Sequence, residues 1–304
     1  MRTTTIASTA AAPAAQSRPQ SCIIVGGTGR VGRAFHRLLP EAGIITRNDS
    51  LHDILTSPST PPHVPILVCT TSDALPSVIT ATPPHCHPDL ILIQNGMFTT
   101  HPYTQCTRVL LYLAAVETGT EPPSIINTYH TFTDGQKTVC FGGGRHAQWF
   151  CHMLTQHGFA CRCIDDADEF EQLEMHKLLW ASAMWVMSQA LGGVGVGQVV
   201  TLHRPALEDL ITDLCSSCCC CKVDVERAMQ EVVEYSLSIP LAVPSRAMAL
   251  KEFEWRNGWF LEQRWCGEQT GRRGGSSGDG DACGGVHRAW LRRAGVDLRL
   301  LNDQ

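Results

Sequence analysis

Three glycines near the start of the chain have the spacing that holds a pyrophosphate. Gly27, Gly29 and Gly32 stand in G-x-G-x-x-G order, after the apolar run Cys22-Ile23-Ile24-Val25 and before Arg33-Ala34-Phe35-His36-Arg37-Leu38-Leu39. The first glycine permits a tight turn, the second lets backbone approach a phosphate, and the third brings helix and strand close together. The free N–H groups and positive dipole end of the helix then face the anion. Thr28, Arg30 and Val31 fill the loop, and together with the three glycines they are the candidate nucleotide-binding residues. The plainer reading is an ordinary strand-to-helix turn whose glycines serve packing alone.

Two further stretches could complete such a site. Gly43-Ile44-Ile45-Thr46 reads as the next strand and ends in Arg47-Asn48-Asp49. An acid at this strand end bonds the ribose 2′-hydroxyl of NAD, whereas an arginine accommodates the 2′-phosphate of NADP. Arg47 therefore points to NADP(H), while Asp49 two residues on keeps NAD open. The second stretch, Asp89-Leu90-Ile91-Leu92-Ile93-Gln94-Asn95-Gly96-Met97, is apolar in the manner of a central parallel strand and closes on polar groups. Groups at the carboxyl end of such a strand lie in the ligand crevice.

The elements that must position these residues alternate through the first half. Val64 to Thr71 reads as a third strand, Asp73 to Thr80 as a helix, Arg108 to Val116 and Ser124 to Phe132 as strands, Thr138 to Gly144 as a hairpin-like segment, Arg145 to Gly158 as a helix and Phe159 to Ile164 as a last strand. Strands alternating with helices imply an α/β layer structure across residues 21–167. Beyond it, Glu169 to Ala190, Arg204 to Cys221, Asp224 to Ser236, Ser245 to Asn257 and Val286 to Ala294 carry helical periodicity, so residues 168–304 are expected to be all-α. The Gly/Ser-rich stretch 266–285 reads as a mobile loop, and residues 1–20, rich in Ala, Thr, Ser and Pro, as a disordered tail or a transit peptide.

At 304 residues with 43% hydrophobic and 17% charged content, the chain is long and apolar enough for two ordinary domains. A net charge of −5 argues against a nucleic-acid partner, and no run of apolar residues suggests a membrane one. The expected compartment is the cytoplasm, or a mitochondrion or chloroplast if the tail is a transit peptide. Fifteen cysteines without a secretory signal read as reduced thiols. Cys215 and Cys218 to Cys221 are poorly spaced for tetrahedral zinc, Cys161 and Cys163 read as apolar filler, and no metal site is expected.

Four stretches, taken in order, carry a family resemblance. They are Gln94-Asn95-Gly96-Met97, Glu174-Met175-His176-Lys177-Leu178, Pro244-Ser245-Arg246-Ala247-Met248 and Gly258-Trp259-Phe260-Leu261-Glu262. With the glycine loop before them, the set resembles the ketopantoate reductase family from about Cys22 to Glu262, with a weaker match at Val286 to Gly295. The resemblance implies a Rossmann-type domain followed by an all-α domain like the C-terminal part of 6-phosphogluconate dehydrogenase, with a homodimer formed through the helical half. It also implies hydride transfer from NADPH to the carbonyl of a small 2-oxo acid. Lys177 would be the general acid. A lysine among Leu173, Met175, Leu178, Leu179 and Trp180 is partly desolvated, which lowers its pKa toward a useful range. Asn95 would sit beside the nicotinamide and help bind substrate, Ser245 would bond the substrate carboxylate, and Glu262 would fix the nicotinamide ribose or Lys177. Thr70, after the third strand, would join the cofactor contacts.

The chain departs from the family pattern in places. Thr70 and Thr71 stand where the family carries a lysine, Ala181 and Trp185 where two asparagines bind substrate, and Trp259 where arginine is preferred. A carbonyl compound bulkier or more apolar than the family's substrate fits those changes. Two rival readings are a non-catalytic NADP-binding sensor and a short-chain dehydrogenase. The second is supported by Gly26, Gly29 and Gly32 in G-x-x-G-x-x-G order. It lacks the required tyrosine with a lysine four residues on at each of Tyr103, Tyr112, Tyr129 and Tyr235.

Overall fold

The apolar run before the glycine loop lies inside a parallel sheet. The computed structural model describes residues 22–98, 100–116, 124–127, 138–217, 223–262 and 285–298. In it β1 (Ile23–Val25) pairs in parallel with β2 (Gly43–Ile45) on one side and β3 (Ile66–Val68) on the other. β4 (Leu90–Leu92) and β5 (Thr107–Leu110) continue the parallel sheet. β6 (Leu113–Val116) and β7 (Ser124–Asn127) form a separate antiparallel ribbon. β8 (Val139–Phe141) then pairs antiparallel with β5, and β9 (Arg162–Ile164) parallel with β8, giving the order 2-1-3-4-5-8-9.

The two-residue period of the strands sorts their side chains between two helical layers. Ile24, Leu67 and Ile91 pack with Phe35 of α1 (Arg30–Leu38) and Phe150 of α4 (Ala147–Gln156). Ile23, Val25, Ile66, Val68, Leu90 and Leu92 face the other way, onto Leu51 and Leu55 of α2 (Leu51–Thr56) and Leu75 and Val78 of α3 (Leu75–Ala81). Because β2 and β3 flank β1, the chain leaves the sheet in opposite directions after β1 and after β3. That opens a crevice at the carboxyl ends of these strands.

The second half winds around one helix. α5 (Ala167–Ala190) is 24 residues long, and its Asp166 cap accepts bonds from the Asp168 and Glu169 amides. Sixteen of its residues, Phe170 to Ser188, are buried around the whole circumference, so it is a core helix rather than an amphipathic one. α6 (Val196–Leu202), α7 (Arg204–Ser217), α8 (Val225–Ser238) and α10 (Gly285–Arg293) enclose it, and the short α9 (Arg246–Lys251) packs beside it. None of the helices described is long and apolar enough to cross a membrane.

Several expected elements take a different form. The strand expected over Arg108 to Val116 breaks at Leu111 and feeds two different sheets, and Thr138 to Gly144 contributes β8 to the main sheet instead of a hairpin. The helix expected over Ser245 to Asn257 divides into α9 and a π-helical turn, Glu254–Gly258. α2 and α6 were not foreseen. In α6 the sequence Gly195-Val196-Gly197-Gln198-Val199-Val200 disfavours a helix, but tertiary packing overrides it, since a Cβ at Gly197 would lie 2.6 Å from Pro240 Cβ. The Cys218 to Cys221 run and most of the 266–285 loop lie outside the described residues.

A buried carboxylate clamps the amino end of the sheet. Asp89, immediately before β4, accepts from Arg145 Nη1 and His146 Nε2, both at 2.9 Å, and so ties β4 to the start of α4. Burial opposes its ionisation, but the His146 and Arg145 bonds outweigh burial and hold it below the ordinary carboxylate range. Asp89→Asn is expected to destabilise the fold by roughly 1–3 kcal/mol at pH 7. The contribution is present above the unfolded carboxylate pKa and is lost as pH falls through the lower folded value. Urea titrations at neutral and acid pH check this, and equal midpoints for variant and wild type at pH 7 would show the clamp to be idle.

Candidate functional site

The loop after β1 is as tight as its glycines suggest. Gly26 has φ +80°, a left-handed backbone that favours glycine, and the Gly29 amide bonds back to the Gly26 carbonyl at 3.0 Å. At Gly32, in the first turn of α1, a Cβ would fall 2.3 Å from the Gly26 oxygen and 2.7 Å from Gly27 Cα. Helix and loop therefore touch backbone to backbone. Thr28, Gly29 and Arg30 are exposed at the mouth of this turn, Val31 is half-buried, and Gly29 caps α1 with no side chain across its free amides. Thr70, following β3, packs its methyl group against Gly26, while its Oγ1 is buried without a hydrogen-bond partner among the described residues. An open helix end, a cradle closed to any Cβ and an orphaned hydroxyl fit the diphosphate of a dinucleotide.

Beyond β2 the two competing residues have different surroundings. Asp49 accepts from the Thr46 amide and the Thr46 hydroxyl, both at 2.7 Å, and these bonds hold its carboxyl below the usual range. Arg47 is exposed and makes no ion pair among the described residues.

The carboxyl end of β4 is pinned to that of β3. Gln94 Nε2 donates to the Val68 carbonyl at 2.8 Å and to the Thr70 carbonyl at 3.0 Å, while its Oε1 accepts from the Ile93 amide. The Asn95 carbonyl accepts from Ser72 Oγ at 3.2 Å, and its half-buried side chain stands at the strand end.

Lys177 reaches the same edge of the sheet from α5. Its Nζ donates to the carbonyl of Leu111, just past β5, at 2.8 Å and lies 4.9 Å from the ring centre of Tyr112. β5 is the parallel neighbour of β4, so the ammonium lies at the carboxyl end of the strand beside the one that carries Asn95. Lys177 is 7% exposed. Burial lowers its pKa to about 7, Arg256 pushes in the same direction and Glu174 opposes. One turn earlier on α5, Glu174 is fully buried 2.8 Å from Arg108, whose guanidinium lies against the rings of Phe141 and Phe170. Burial lifts Glu174 to about 8 against the pull of Arg108.

Lys177 and Asn95 do not bond each other. Sequence reasoning missed the groups that hold Asn95. Arg256, whose charge acts on Lys177, pairs with Glu252 one turn earlier, and Glu252 Oε1 accepts from the amide of Ser72, whose hydroxyl donates to the Asn95 carbonyl. Arg256 Nε is itself buried without a partner among the described residues. Trp255 seats this segment on the sheet by packing against Phe98 and Tyr103, with ring centres 5.5 and 5.7 Å apart. The i, i+4 spacing of Glu252 and Arg256 was the available signal.

The remaining expected residues lie nearer the surface. Ser245 is exposed and caps α9 by accepting from the Met248 amide at 3.4 Å. Glu262 is exposed; partial burial and the nearby Glu254 raise its carboxyl pKa. Ala181 is buried, and Trp185 is fully buried in the helical core with its Nε1 unpartnered among the described residues.

No family model matches the chain, and no curated protein matches it in sequence. Solved structures do match. A PanE/ApbA family ketopantoate reductase from Ralstonia eutropha JMP134 is 16% identical with a TM-score of 0.55, over 90% of this chain and 98% of its own. A dimeric ketopantoate reductase from Staphylococcus aureus is 15% identical with a TM-score of 0.55, over the same shares. D-mandelate dehydrogenase with NADH and anilino(oxo)acetate is 13% identical with a TM-score of 0.59, again over 90% and 98%. The chain therefore has the ketopantoate reductase fold, a Rossmann-type sheet followed by a helical part.

Proposed function

We propose that the protein is a divergent reductase of the ketopantoate reductase type, which reduces the carbonyl of a 2-oxo acid at the expense of NADPH. The observation that carries this reading is the desolvated ammonium of Lys177 at the carboxyl edge of the sheet, beside the strand that ends in Asn95. When bound, the nicotinamide supplies the hydride. Lys177 stabilises the negative charge that grows on the carbonyl oxygen and then donates the proton that makes it a hydroxyl. With a pKa near 7 it can both hold and release that proton at neutral pH.

Arg256 gives the site its preference for an acid. Its charge is balanced by Glu252, but its Nε–H is unused, and a planar guanidinium takes a carboxylate readily. Ser245 and Asn95 supply further polar contacts, and Glu262 orients the ribose side. Ala181 and Trp185 are buried and offer substrate no polar contact from α5, which favours a 2-oxo acid with a larger or more apolar tail. The test is reduction of a panel of 2-oxo acids, monitored through NADPH oxidation. Turnover of a branched or aromatic member is expected, whereas NADPH binding with no turnover of any would favour a sensor.

The choice of NADPH rests on Arg47. Asp49, the rival acid, is turned onto Thr46, which leaves the arginine free for a 2′-phosphate. Arg47→Asp is expected to move the preference at least tenfold toward NADH, the effect of roughly one charge-assisted contact. Unchanged selectivity in the ratio of kcat/KM values would show the arginine to be idle. A homodimer through the helical half accounts for exposed Leu202, Leu241 and Val243 around the end of α6 and the turn before α9.

A further inference from the structure

Far from the glycine loop, at the β8–β9 edge of the sheet, four cysteines converge. Cys140 on β8 and Cys163 on β9 are register partners in a parallel pair, so their side chains leave the same face. Cys161, two residues before Cys163, shares that face. α4 packs across it and contributes Cys151. The sulfurs are close: Cys140 to Cys161 is 3.7 Å, Cys151 to Cys161 is 3.1 Å and Cys151 to Cys163 is 3.4 Å. The Sγ atoms of Cys140, Cys151 and Cys161 all lie within 4.8 Å of one another.

We propose that Cys140, Cys151, Cys161 and Cys163 form a thiolate site for one zinc ion. With Zn–S bonds near 2.3 Å, the sulfurs of a tetrahedral site stand about 3.8 Å apart. Cys140, Cys151 and Cys161 need only small side-chain rotations to reach that, whereas Cys163, 3.4 Å from Cys151 but outside the three-sulfur cluster, must turn further to serve as the fourth ligand. Cys140 and Cys151 are buried while Cys161 and Cys163 are half-buried, so the ion has a path from solvent to a largely dry floor. Each thiol releases its proton to solvent as it ligates. Four protein ligands leave no open position, so the ion is structural and fastens α4 to β8 and β9. Four thiols brought together by two strands and a helix exceed what apolar filling requires. The sequence hid the site because its ligands are separated by 11, 10 and 2 positions, with no paired C-x-x-C knuckle. The inference does not depend on the proposed reductase activity.

The full chain, kept reduced and stripped with a chelator, is titrated with Co2+ and then with Zn2+. Expected are one equivalent of tetrahedral thiolate cobalt, seen by its visible bands and ultraviolet charge-transfer band, bleaching by one equivalent of Zn2+, and a zinc-dependent rise in Tm. Cys161→Ser, at a half-buried position, should lose the bands and the rise while keeping its fold, and Cys151→Ser should do the same. Cys106→Ser should keep both. Absence of the bands in reduced wild type overturns the site, as does their survival in both Cys161→Ser and Cys151→Ser, which would place the metal on other cysteines. A Cys151–Cys161 disulfide in protein isolated without reductant, with no zinc bound after reduction, also overturns it.

Discussion

Lys177→Ala is expected to lower the rate of 2-oxo acid reduction by about 100- to 10,000-fold, the usual worth of a positioned general acid, while NADPH affinity stays within a few fold. The two effects separate because the lysine rises from α5 beyond the carboxyl end of β5, whereas the glycine loop proposed to hold the nucleotide follows β1, two strands past β4. The pH dependence carries the sharper test. With burial holding Lys177 at about 7, its protonated fraction declines above neutrality, so reduction should slow by roughly tenfold per pH unit there. Reoxidation of the alcohol, which needs the neutral amine, should rise over the same range. Stability follows the same proton. Between the folded value near 7 and the ordinary lysine value near 10.5, the unfolded chain holds more protons than the native one, so stability climbs with pH across that window. Lys177→Met, which keeps the stem and removes the charge, should flatten that climb. An alanine variant with wild-type turnover, or a reduction rate that is level from pH 6 to 9, would remove Lys177 from the chemistry.

The parts of this site that could be read from the sequence are those whose constraint is local. Gly27, Gly29 and Gly32 are fixed by one strand, one turn and the first turn of one helix, so their spacing carried its own meaning. Lys177 was a different case. A lysine in an apolar helical stretch ordinarily snorkels to water, and only the ordered company of Asn95, Ser245 and Glu262 singled it out. Arg256 and Glu252 escaped because their contacts are long-range: the Ser72 amide lies 180 residues from the Glu252 carboxylate it bonds. The π-helical turn also shifts Arg256 relative to a regular helix continued from α9, so periodicity could not tell which way it points. α6 was hidden by glycines that serve Pro240 rather than the local backbone. The break at Leu111 left no turn residues to mark it, yet it frees the carbonyl that receives Lys177. Geometry made by packing between distant segments stayed dark in the sequence.

Gly32→Ala should reverse the pattern of the lysine variant, with cofactor binding lost and the acid left in place. The added methyl would lie 2.3 Å from the Gly26 oxygen, 2.7 Å from Gly27 Cα and 2.9 Å from the Gly26 carbonyl carbon. All three atoms are backbone of the glycine loop, and none can turn aside as a flexible side chain would. Either α1 lifts from the sheet or the loop opens, and in both cases the amides at the start of α1 lose their aim. Loss of one or two charge-assisted bonds of about 1.5–3 kcal/mol each weakens NADPH binding by roughly 10- to 1,000-fold or more. Gly29→Ala is the internal control. Gly29 caps α1 at φ −70°, which alanine adopts freely, and its added methyl would approach only the Gly26 oxygen, at 3.2 Å. Its effect on affinity should stay within about tenfold, because a single tight contact can relax by a few tenths of an ångström. Titration of each variant with NADPH, followed by protein fluorescence, measures both. If Gly32→Ala binds NADPH as wild type does, the nucleotide lies somewhere other than over β1, and Lys177, however acidic, has no hydride to follow.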